Sequence, residues 1–470
     1  MSAKYDYDAI IIGAGIGGLV CGCYLAKAGL KTLIVEKNEK PGGYCTSFTR
    51  DGFLFDACVH SLGSCGEGGI IFDIMKDLSI FKKIEMQRFD PSDIIISPDF
   101  KISFWNKLDE VIQEFQTTFP KEAKRIKDFF IYLNNASGRS LAQLRNKNFQ
   151  YILDNYFSDY RLKSALSIFV LGNIGLPPSR LSAFTGIKFY KQFMLDGGYY
   201  PRGGMQEFSN ILAGKFKEYG GTLKIPNSAK RIKVNNNKIE GVIIDEAKFI
   251  SSKYVVSGCD VVQTFIDLIG KKNTSQEISS KLNSMTPSLS MFILYLGLDN
   301  DVAALPCVGT NLWFMPNYDM ENMYLNVRAW RVNKIDFFLV RVINDKRSII
   351  VLINAPFNDE KYWATNKEKL REIFINKIDK IIPGISQHIV FKEIATPITL
   401  YKRTLNYKGA AYGWESSPDQ FAIREFGQHT PIENLYLTGH WTTLAQGIPG
   451  VAYLGRDTAK LIINRGLKRA

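Results

Sequence analysis

The fold of this chain is decided close to its start, where residues 7–19 read YDAIIIGAGIGGL. An apolar run leads into a Gly-x-Gly-x-x-Gly motif formed by Gly13, Gly15 and Gly18, and a helical pattern follows. This order is typical of a dinucleotide-binding β-α-β unit, in which the glycines allow a tight turn, close approach of a pyrophosphate and packing of helix on strand. The helix N-terminus offers free N–H groups and a positive dipole end to the phosphates. We therefore expect Gly13, Gly15, Gly17 and Gly18 to bind a dinucleotide.

The residues after the motif complete the unit in the expected order. The segment from Leu19 to Ala28 predicts a helix that stops at Gly29. A second strand follows over Thr32–Val35 and ends at Glu36. An acid about 20 residues after the motif can bind the ribose hydroxyl pair. Because the residue is acidic rather than basic, it argues against a 2′-phosphate and so against NADP.

The bulk composition excludes several classes of protein. The chain has 470 residues, of which 46% are hydrophobic and 22% charged, as in an ordinary globular protein of more than one domain. No apolar stretch reaches the roughly 18 residues of a membrane span. We expect no secretory signal, because no basic region followed by an apolar one occurs before the first strand. Seven cysteines without Cys-x-x-Cys spacing predict reduced thiols and a cytoplasmic location.

The charge suggests a kind of partner. The formal net charge is +13 at pH 7, which fits a solvated basic surface, an anionic membrane surface or nucleic acid. No nucleic-acid motif occurs, so we expect no nucleic-acid partner and favour peripheral contact with an anionic membrane. The four histidines show no metal-ligand spacing, which predicts no metal site. The sequence indicates no oligomeric state.

A second glycine pair follows Glu36. Residues 37–44 read KNEKPGGY, and residues 52–56 read GFLFD. Because Gly42 and Gly43 have no side chains, the backbone there forms a second place that a phosphate or ribityl chain can approach closely. This segment resembles the flavin amine oxidase superfamily, and most closely its phytoene desaturase, carotenoid isomerase and retinol saturase branch. The resemblance implies FAD as the cofactor, with Lys37 and Tyr44 also in its site.

Two later blocks extend the resemblance. Residues 201–205, PRGGM, resemble the family's Pro-x-Gly-Gly-Met helix start, and the strand at Ala229 and Lys230 matches one whose backbone contacts adenine. Near the end, residues 434–441 read NLYLTGHW, a strand that enters a turn at Gly439. The family places this turn and the following helix start against the flavin, which here implicates Gly447, Ile448, Pro449, Gly450 and Val451.

His440 departs from the family's pattern. Relatives usually have an acid after the glycine of this turn, whereas this chain has His440 after Gly439. The imidazole could donate to the flavin, bind phosphate or face the substrate. The exchange leaves FAD as the expected cofactor but changes the expected local contact.

The blocks predict an α/β fold with two domains. A Rossmann-type FAD-binding domain takes residues 5–75, 198–265 and 425–470, and an inserted α+β substrate domain takes residues 76–197 and 266–424. The first inserted part predicts a helical lid or membrane-contact region, with helices over Leu108–Phe119, Pro120–Asn134 and Phe149–Phe169. The second predicts a sheet floor from strands such as Ser290–Leu298 and Ser348–Asn354. Floor and lid would enclose an apolar tunnel.

The resemblance implies an FAD-dependent oxidoreductase that acts on carbon–carbon bonds of a long isoprenoid or polyene, by desaturation, isomerisation or saturation. The family places a segment comparable to residues 395–415 beside the flavin, so Tyr412, Trp414 and Glu415 are candidates to face the reacting bond. His60 and His440, in cofactor-adjacent motifs, are acid–base or flavin-tuning candidates.

Two alternatives remain open, because a fold alone does not decide chemistry. One is a flavin oxidase of amines or tetrapyrroles on the same scaffold. The other is a non-catalytic lipid carrier like the Rab GDP-dissociation inhibitors, against which the intact glycine set and Glu36 argue.

Overall fold

The computed structural model describes residues 5–137, 141, 143–245, 247–300, 302, 305, 308–343, 347–422, 426–442 and 446–467. The predicted boundary at residue 425 and residues 468–470 lie outside this part of the chain. The strands within it are β1 Tyr7–Ile12, β2 Thr32–Val35, β3 Ser47–Arg50, β4 Phe53–Asp56, β5 Met86–Arg88, β6 Asp93–Ile96, β7 Lys101–Phe104, β8 Tyr199–Pro201, β9 Thr222–Lys224, β10 Ala229–Asn235, β11 Lys238–Ile244, β12 Lys248–Ser257, β13 Ser290–Leu298, β14 Asn311–Phe314, β15 Phe338–Val342, β16 Ser348–Ala355, β17 Ile389–Ala395 and β18 Leu435–Leu437.

The α-helices of the described chain belong partly to the first sheet and partly to the inserted segments. They are α1 Ile16–Lys27, α2 Ile70–Asp77, α3 Leu108–Thr118, α4 Ala123–Asn135, α5 Phe149–Tyr156, α6 Tyr160–Ile174, α7 Ala183–Phe189, α8 Met205–Glu218, α9 Gln276–Ser284, α10 Met320–Arg328, α11 Glu360–Asp379, α12 Pro397–Thr404, α13 Pro418–Ala422 and α14 Gly447–Leu467. Residues Tyr190–Leu195 and Gln263–Gly270 form π-helical turns.

The first sheet combines strands that are far apart in sequence. Its order is β10-β11-β12-β1-β2-β9, and β18 pairs with β12. Strand β1 lies parallel to β2 and to β12, and β18 lies parallel to β12. Alternate residues of β1 enter two separate apolar clusters, with Ile11 in one and Ile10 in the other. The sheet is therefore covered on both faces, as parallel sheets are.

The second sheet is built from strands of residues 76–197 and 266–424. Its order is β17-β13-β16-β15-β14-β6-β7. Every residue of β13 and of β16 is buried, and the two strands pair antiparallel with Ser290 opposite Ala355. These are the long apolar strands that the sequence predicts.

The first inserted segment is less helical than predicted. Strands β6 and β7 join the second sheet and β5 pairs with β8, so residues 76–197 contribute strands as well as helices. Strands of three or four residues are too short for a period to show in sequence. The predicted helix Phe149–Phe169 is also divided into α5 and α6. Asp159 begins α6 because its carboxylate accepts from the backbone N–H groups of Arg161 and Leu162 at 2.8 and 3.4 Å.

Parallel pairing brings several sequence blocks to one edge of the first sheet. Gly13, Glu36, Gly258 and Thr438 directly follow β1, β2, β12 and β18, whose carboxyl ends lie side by side. The Gly258 amide donates to Ile12, and the Thr438 amide to Ser257, at 2.9 Å each. Ligands of open α/β sheets bind at such an edge. Among the described residues, no helix is both long and apolar enough to cross a bilayer.

Candidate active site

A deep cavity opens at this edge and extends against the second sheet. Its empty space is about 2260 Å³, including its opening to solvent. Its lining combines the glycine-bearing segments with apolar side chains of the inserted segments, among them Met291, Trp313, Phe337, Leu339 and Leu352. Most of the predicted site residues line it, namely Gly13, Gly15, Gly17, Gly18, Glu36, Lys37, Gly42, Gly43, Tyr44, His60, Ala229, Tyr412, Gly439, His440, Gly447, Ile448, Pro449 and Val451.

The glycine segments form a cradle of bare backbone. A Cβ atom added at Gly15 would meet no atom within 4 Å, so the backbone there faces open space. Gly42 lies beside Gly15 in a β-bridge, and its amide donates to the Ala14 carbonyl at 2.8 Å. A Cβ atom at Gly17 would lie 3.3 Å from the amide nitrogen of Gly439. Three distant sequence blocks thus form one surface that a dinucleotide can approach. This surface fits the predicted cofactor, FAD.

Two helices begin at the cavity. Helix α1 starts after Gly15, which has no side chain to cap it, and α14 starts at Gly447. Neither helix has an acid in its first turn. The N–H groups of these first turns are therefore available to an anion, and both dipoles favour negative charge there.

Glu36 is held rigidly at the end of β2. One of its carboxylate oxygens accepts from the Ala14 amide at 2.8 Å. The other accepts from the backbone and side-chain nitrogens of Asn38 at 2.8 Å. Since a carboxylate has about four lone-pair sites, it still has acceptor capacity for ribose hydroxyls. The geometry fits the role predicted from the sequence.

Two buried histidines present unsatisfied nitrogens at the cavity. Nε2 of His440 and Nδ1 of His60 are buried and have no hydrogen-bond partner among the described residues. Burial lowers the pKa of His440 to about 4. Burial, together with the positive charge of Arg341, lowers the pKa of His60 to about 3. Both rings are thus neutral at pH 7 and can either donate to or accept from a bound molecule.

Tyr412 is a fixed phenol of the cavity wall. Its hydroxyl donates to the Gly172 carbonyl at 3.0 Å and lies 3.4 Å from Oδ1 of Asn354. Asn354 is itself held by the carbonyls of Leu171 and Gly172, at 3.1 and 3.2 Å from Nδ2. Burial raises the pKa of Tyr412 well above its usual value, so the phenol stays neutral. Because the Tyr412 hydroxyl donates its proton to the Gly172 carbonyl, Tyr412 presents mainly the surface of its ring to the cavity.

Trp414 and Glu415 do not line the cavity. The Trp414 ring packs edge-on against Trp441 with 4.9 Å between centroids. Glu415 accepts from Nη1 of Arg328 at 2.9 Å. Direct contact of these two side chains with the reacting bond is therefore not supported, because packing and an ion pair turn them elsewhere.

Two predicted cofactor residues also lie outside the lining. Lys230 is exposed on β10, one position after the lining residue Ala229, and Gly450 is buried within α14. Within the described chain, no group of three His, Cys, Asp or Glu residues is placed to hold a metal ion.

Sequence reasoning missed one wall of the cavity. Residues from α7 and the π-helical turn after it line the cavity, namely Phe184, Thr185, Lys188, Phe189, Gln192 and Phe193. Their spacing is that of one helix face. Alternating aromatic and polar residues on one helix face are the signal that could have identified this wall.

Part of the chain matches a protein-family model, and nearly all of it is similar to curated proteins. The family described as an NAD(P)-binding Rossmann-like domain matches residues 11–78. The all-trans-retinol 13,14-reductase of Danio rerio is 23% identical, over 98% of this chain and 87% of its own length. The lycopene-forming phytoene desaturase of Pantoea ananas is 26% identical, over 96% and 98%. The chloroplastic prolycopene isomerase of Daucus carota is also 26% identical, over 96% and 79%.

Solved structures share the fold. An oxidoreductase from Methanosarcina mazei superposes with a TM-score of 0.67 at 17% identity, covering 96% of this chain and 99% of that one. Putrescine oxidase bound to putrescine gives a TM-score of 0.67 at 15% identity, covering 98% and 99%. These comparisons confirm the predicted α/β fold with its Rossmann-type unit. The chain is an oxidoreductase-type enzyme similar, along nearly its whole length, to phytoene desaturases, carotenoid isomerases and retinol reductases.

Proposed function

We propose that this protein is an FAD-dependent oxidoreductase that acts on carbon–carbon bonds of a long apolar isoprenoid or polyene. The observation that carries the proposal is a single cavity lined both by the glycine cradle with Glu36 and by apolar side chains of the inserted segments. Bound FAD would supply the hydride acceptor or donor. The names of the full-length relatives, which act on phytoene, prolycopene and retinol, support the same substrate class.

The chain's own residues would bind and orient the cofactor. Gly13, Gly15 and Gly18 with the N-terminus of α1 would hold the pyrophosphate, and Glu36 the ribose. The backbone near Ala229 would contact adenine. Gly42, Gly43 and the start of α14 would lie along the ribityl chain. The proposed FAD-binding domain remains residues 5–75, 198–265 and 425–470, and the substrate domain the two segments between them.

At the substrate, the protein would exclude water and position the reacting bond. The Tyr412 ring, which is fixed by Gly172 and Asn354, would give a flat surface beside the polyene. His60 is the proposed proton-handling group, since its neutral ring lies in the cavity with Nδ1 unsatisfied. His440 is proposed to donate to the flavin, in place of the family's acid. Desaturation, isomerisation and saturation all use these same roles.

Two observations oppose the alternative functions. The cavity contains the ammonium group of Lys188, which would repel the protonated amine of an amine-oxidase substrate. The open space at Gly15 and the fixed carboxylate of Glu36 suit the binding of a dinucleotide. A non-catalytic lipid carrier does not need to bind one.

Membrane contact is proposed as the route for an apolar substrate. Helix α4 turns Ile126, Phe129 and Phe130 into the core and exposes Lys124 and Lys127. Its Ile131 is 40% exposed on the same outer surface. With a net charge of +13, we expect the protein to float with phosphatidylglycerol vesicles and not with phosphatidylcholine vesicles. Equal flotation with both would contradict an electrostatic contact.

The function is tested by cofactor analysis followed by turnover. We expect the purified protein to show flavin absorbance and to release FAD on denaturation. Phytoene, prolycopene and retinol are then incubated with it under aerobic and reducing conditions, and products are read by absorbance and mass. Loss of two mass units identifies desaturation, gain of two saturation, and a new isomer of unchanged mass isomerisation. Absence of flavin would favour a carrier, and turnover of amines alone would favour an amine oxidase.

A further inference from the structure

One segment of the inserted part lies at the edge of the first sheet where the cofactor is proposed to bind. This segment, residues 402–412, which we call the strap, runs from the last turn of α12 to Tyr412. The glycine loop of residues 13–18 lines the same cavity as six residues of the strap, namely Arg403, Thr404, Leu405, Asn406, Ala411 and Tyr412. The contacts between the strap and the glycine-bearing blocks therefore decide how the cavity is closed.

The start of the strap is tied to the residues that follow β2. Nζ of Lys37 donates to the Lys402 carbonyl at 3.0 Å, and Nδ2 of Asn38 donates to the Arg403 carbonyl at 3.0 Å. Both carbonyls belong to the last turn of α12, where the helix itself supplies no donor. The end of α12 is thereby fixed beside Glu36.

The middle of the strap is tied to residues that follow β12 and β18. Oδ2 of Asp260 accepts from the Tyr407 amide. Oδ1 of Asn406 accepts from Nε1 of Trp441 at 2.9 Å. Asn406 and Trp441 are both buried. This part of the strap is therefore docked on the protein by specific hydrogen bonds.

These ties place the strap across the glycine loop. In the first sheet β1 lies between β2 and β12, and β18 lies beyond β12. The strap is held on the β2 side and on the β12 side, so it passes the end of β1, where Gly13 begins the loop. A further tie beside Gly43 joins the Tyr44 hydroxyl to the Ala410 carbonyl at 3.1 Å. A dinucleotide on the loop would therefore lie between the loop and the strap.

The backbone of the strap has an uncommon conformation. The φ angles of Leu405 and Lys408 are 58° and 51°, in the left-handed region that residues with a side chain rarely adopt. Such a backbone persists only where surrounding contacts hold it. Loss of a tie should therefore let the strap move away from the loop.

We propose that the strap closes over bound FAD and must open before the cofactor can leave, with Asp260 as the latch that holds it shut. The inference rests on FAD as the cofactor of the proposed function. It adds a retaining element that comes from the inserted segments and not from the Rossmann-type unit. The glycine loop and Glu36 would bind the cofactor, and the strap would set how fast it exchanges.

Asp260 also makes the latch sensitive to pH. Burial raises the pKa of Asp260 to about 7, its three amide donors oppose this rise, and the charge of Asp267 adds to it. The neighbouring Cys259 thiol and Tyr44 phenol have pKa values raised by burial, so both stay neutral between pH 6 and pH 8. A charged carboxylate is a stronger acceptor than a neutral carboxyl. The bond to the Tyr407 amide should therefore weaken as the pH falls from 8 to 6.

The test measures exchange of the bound cofactor and not activity. The protein is loaded with radiolabelled FAD and chased with an excess of unlabelled FAD, and the label retained after desalting gives the exchange rate. We expect exchange to be about tenfold faster at pH 6 than at pH 8, because protonated Asp260 loses the charged part of its hydrogen bond.

Asp260→Asn removes the latch and keeps a second role of this residue. Oδ1 of Asp260 accepts from the Val262 amide, which an asparagine oxygen can also do. The asparagine nitrogen would then face the Tyr407 N–H, so that two donors oppose each other. Exchange at pH 8 should be at least about tenfold faster than in the unaltered protein and should no longer depend on pH.

A second variant and a control complete the test. Asn406→Ala removes the tie to Trp441 and should also accelerate exchange. Asp319→Asn makes the same chemical change as Asp260→Asn at the start of α10, outside the cavity lining, and should leave the exchange rate unaltered. Hydrogen exchange of residues 405–411, read by mass spectrometry, should rise in both strap variants, while that of β13 stays unchanged. Thermal unfolding of each variant identifies a folding defect.

The outcomes separate this inference from the function on which it rests. An unchanged exchange rate in both Asp260→Asn and Asn406→Ala would overturn the strap as the retaining element, while leaving a flavoenzyme in place. An unchanged rate in Asp260→Asn alone, or a pH dependence that persists in it, would overturn Asp260 as the latch. If Asp260→Asn does not fold, Asn406→Ala decides on the strap and the unaltered protein at the two pH values decides on the latch. A protein that takes up no FAD would contradict the proposed function itself.

Discussion

Single glycines do two different jobs in this molecule. At Gly18 an added Cβ atom would lie 2.1 Å from the Gly13 carbonyl oxygen, so the missing side chain permits helix and strand to pack. At Gly15 the added atom would meet nothing, so the missing side chain keeps a space open for a ligand. One motif thus serves folding at one residue and binding at another.

This difference predicts opposite effects of two substitutions. Gly15→Val should abolish flavin retention and change the free energy of unfolding of the flavin-free protein by less than about 0.5 kcal/mol, because φ there is −66° and the space is open. Gly18→Ala should destabilise the flavin-free protein by about 1–3 kcal/mol through overpacking. Flavin content and urea unfolding are the two measurements. A flavin-loaded Gly15→Val protein would contradict the position of the cradle.

At the scale of elements, two helices from opposite ends of the chain define the site. Helices α1 and α14 pack closely along each other, which sets both of their N-termini at the cavity. The contact is tight at Gly455, where an added Cβ atom would lie 2.4 Å from the Gly17 carbonyl oxygen. The sequence predicted no role for Gly455, because the importance of a glycine within a helix depends on which residue packs against it in the folded protein.

Gly455→Val should therefore destabilise the protein and weaken flavin binding together. Overpacking costs about 1–3 kcal/mol, and the displaced α14 carries Gly447 away from the ligand. Gly214→Val is the matched control, since Gly214 is also helical, is exposed and faces open space. Both variants share the propensity cost of valine in a helix. Thermal unfolding and flavin titration should distinguish them, and equal losses would argue against a tight contact.

At the scale of the whole molecule, a buried charge cluster links the second sheet to strands β4 and β8, which belong to neither of the two large sheets. Arg341 of β15 is 1% exposed, and its Nη1 donates to Oδ1 of Asn311 at 2.9 Å. Its guanidinium lies 5.1 Å from the ring centroid of Tyr200, whose hydroxyl donates to Asp56 at 2.7 Å. Asp93 accepts from Asn311 at 2.9 Å. Burial raises the pKa of both carboxyls, and the charge of Arg341 partly offsets this.

Replacing Arg341 should lower the free energy of unfolding by an amount that depends on pH. Arg341→Met should destabilise the protein by about 3 kcal/mol at pH 8, because two buried carboxylates lose their compensating charge. The cost should be smaller at pH 5 than at pH 8, because carboxyls with a raised pKa take up protons at a higher pH in the folded state than in the unfolded chain. Adding Asp93→Asn should recover part of the loss. Urea unfolding at both pH values checks this, and a cost that does not vary with pH would contradict the electrostatic role.

The sequence by itself determined the features that depend on spacing along the chain. The strand, glycine loop, helix and Glu36 form one local unit, and β13 is long enough for its apolar pattern to identify it. The distant blocks at Gly42, Gly439 and Gly447 were placed through family resemblance, and the structure lines one cavity with all of them.

Only the tertiary structure decided what depends on neighbours in space. The short strands β6 and β7 form because they pair within the second sheet. A segment of four residues is too short for its hydrophobic pattern to predict a strand. Trp414 and Glu415 point away because Trp441 and Arg328, remote in sequence, hold them. Lys188 enters the cavity because α7 turns that face towards it. Local spacing identified the first glycine loop and Glu36, whereas long-range packing decided which other side chains line the cavity.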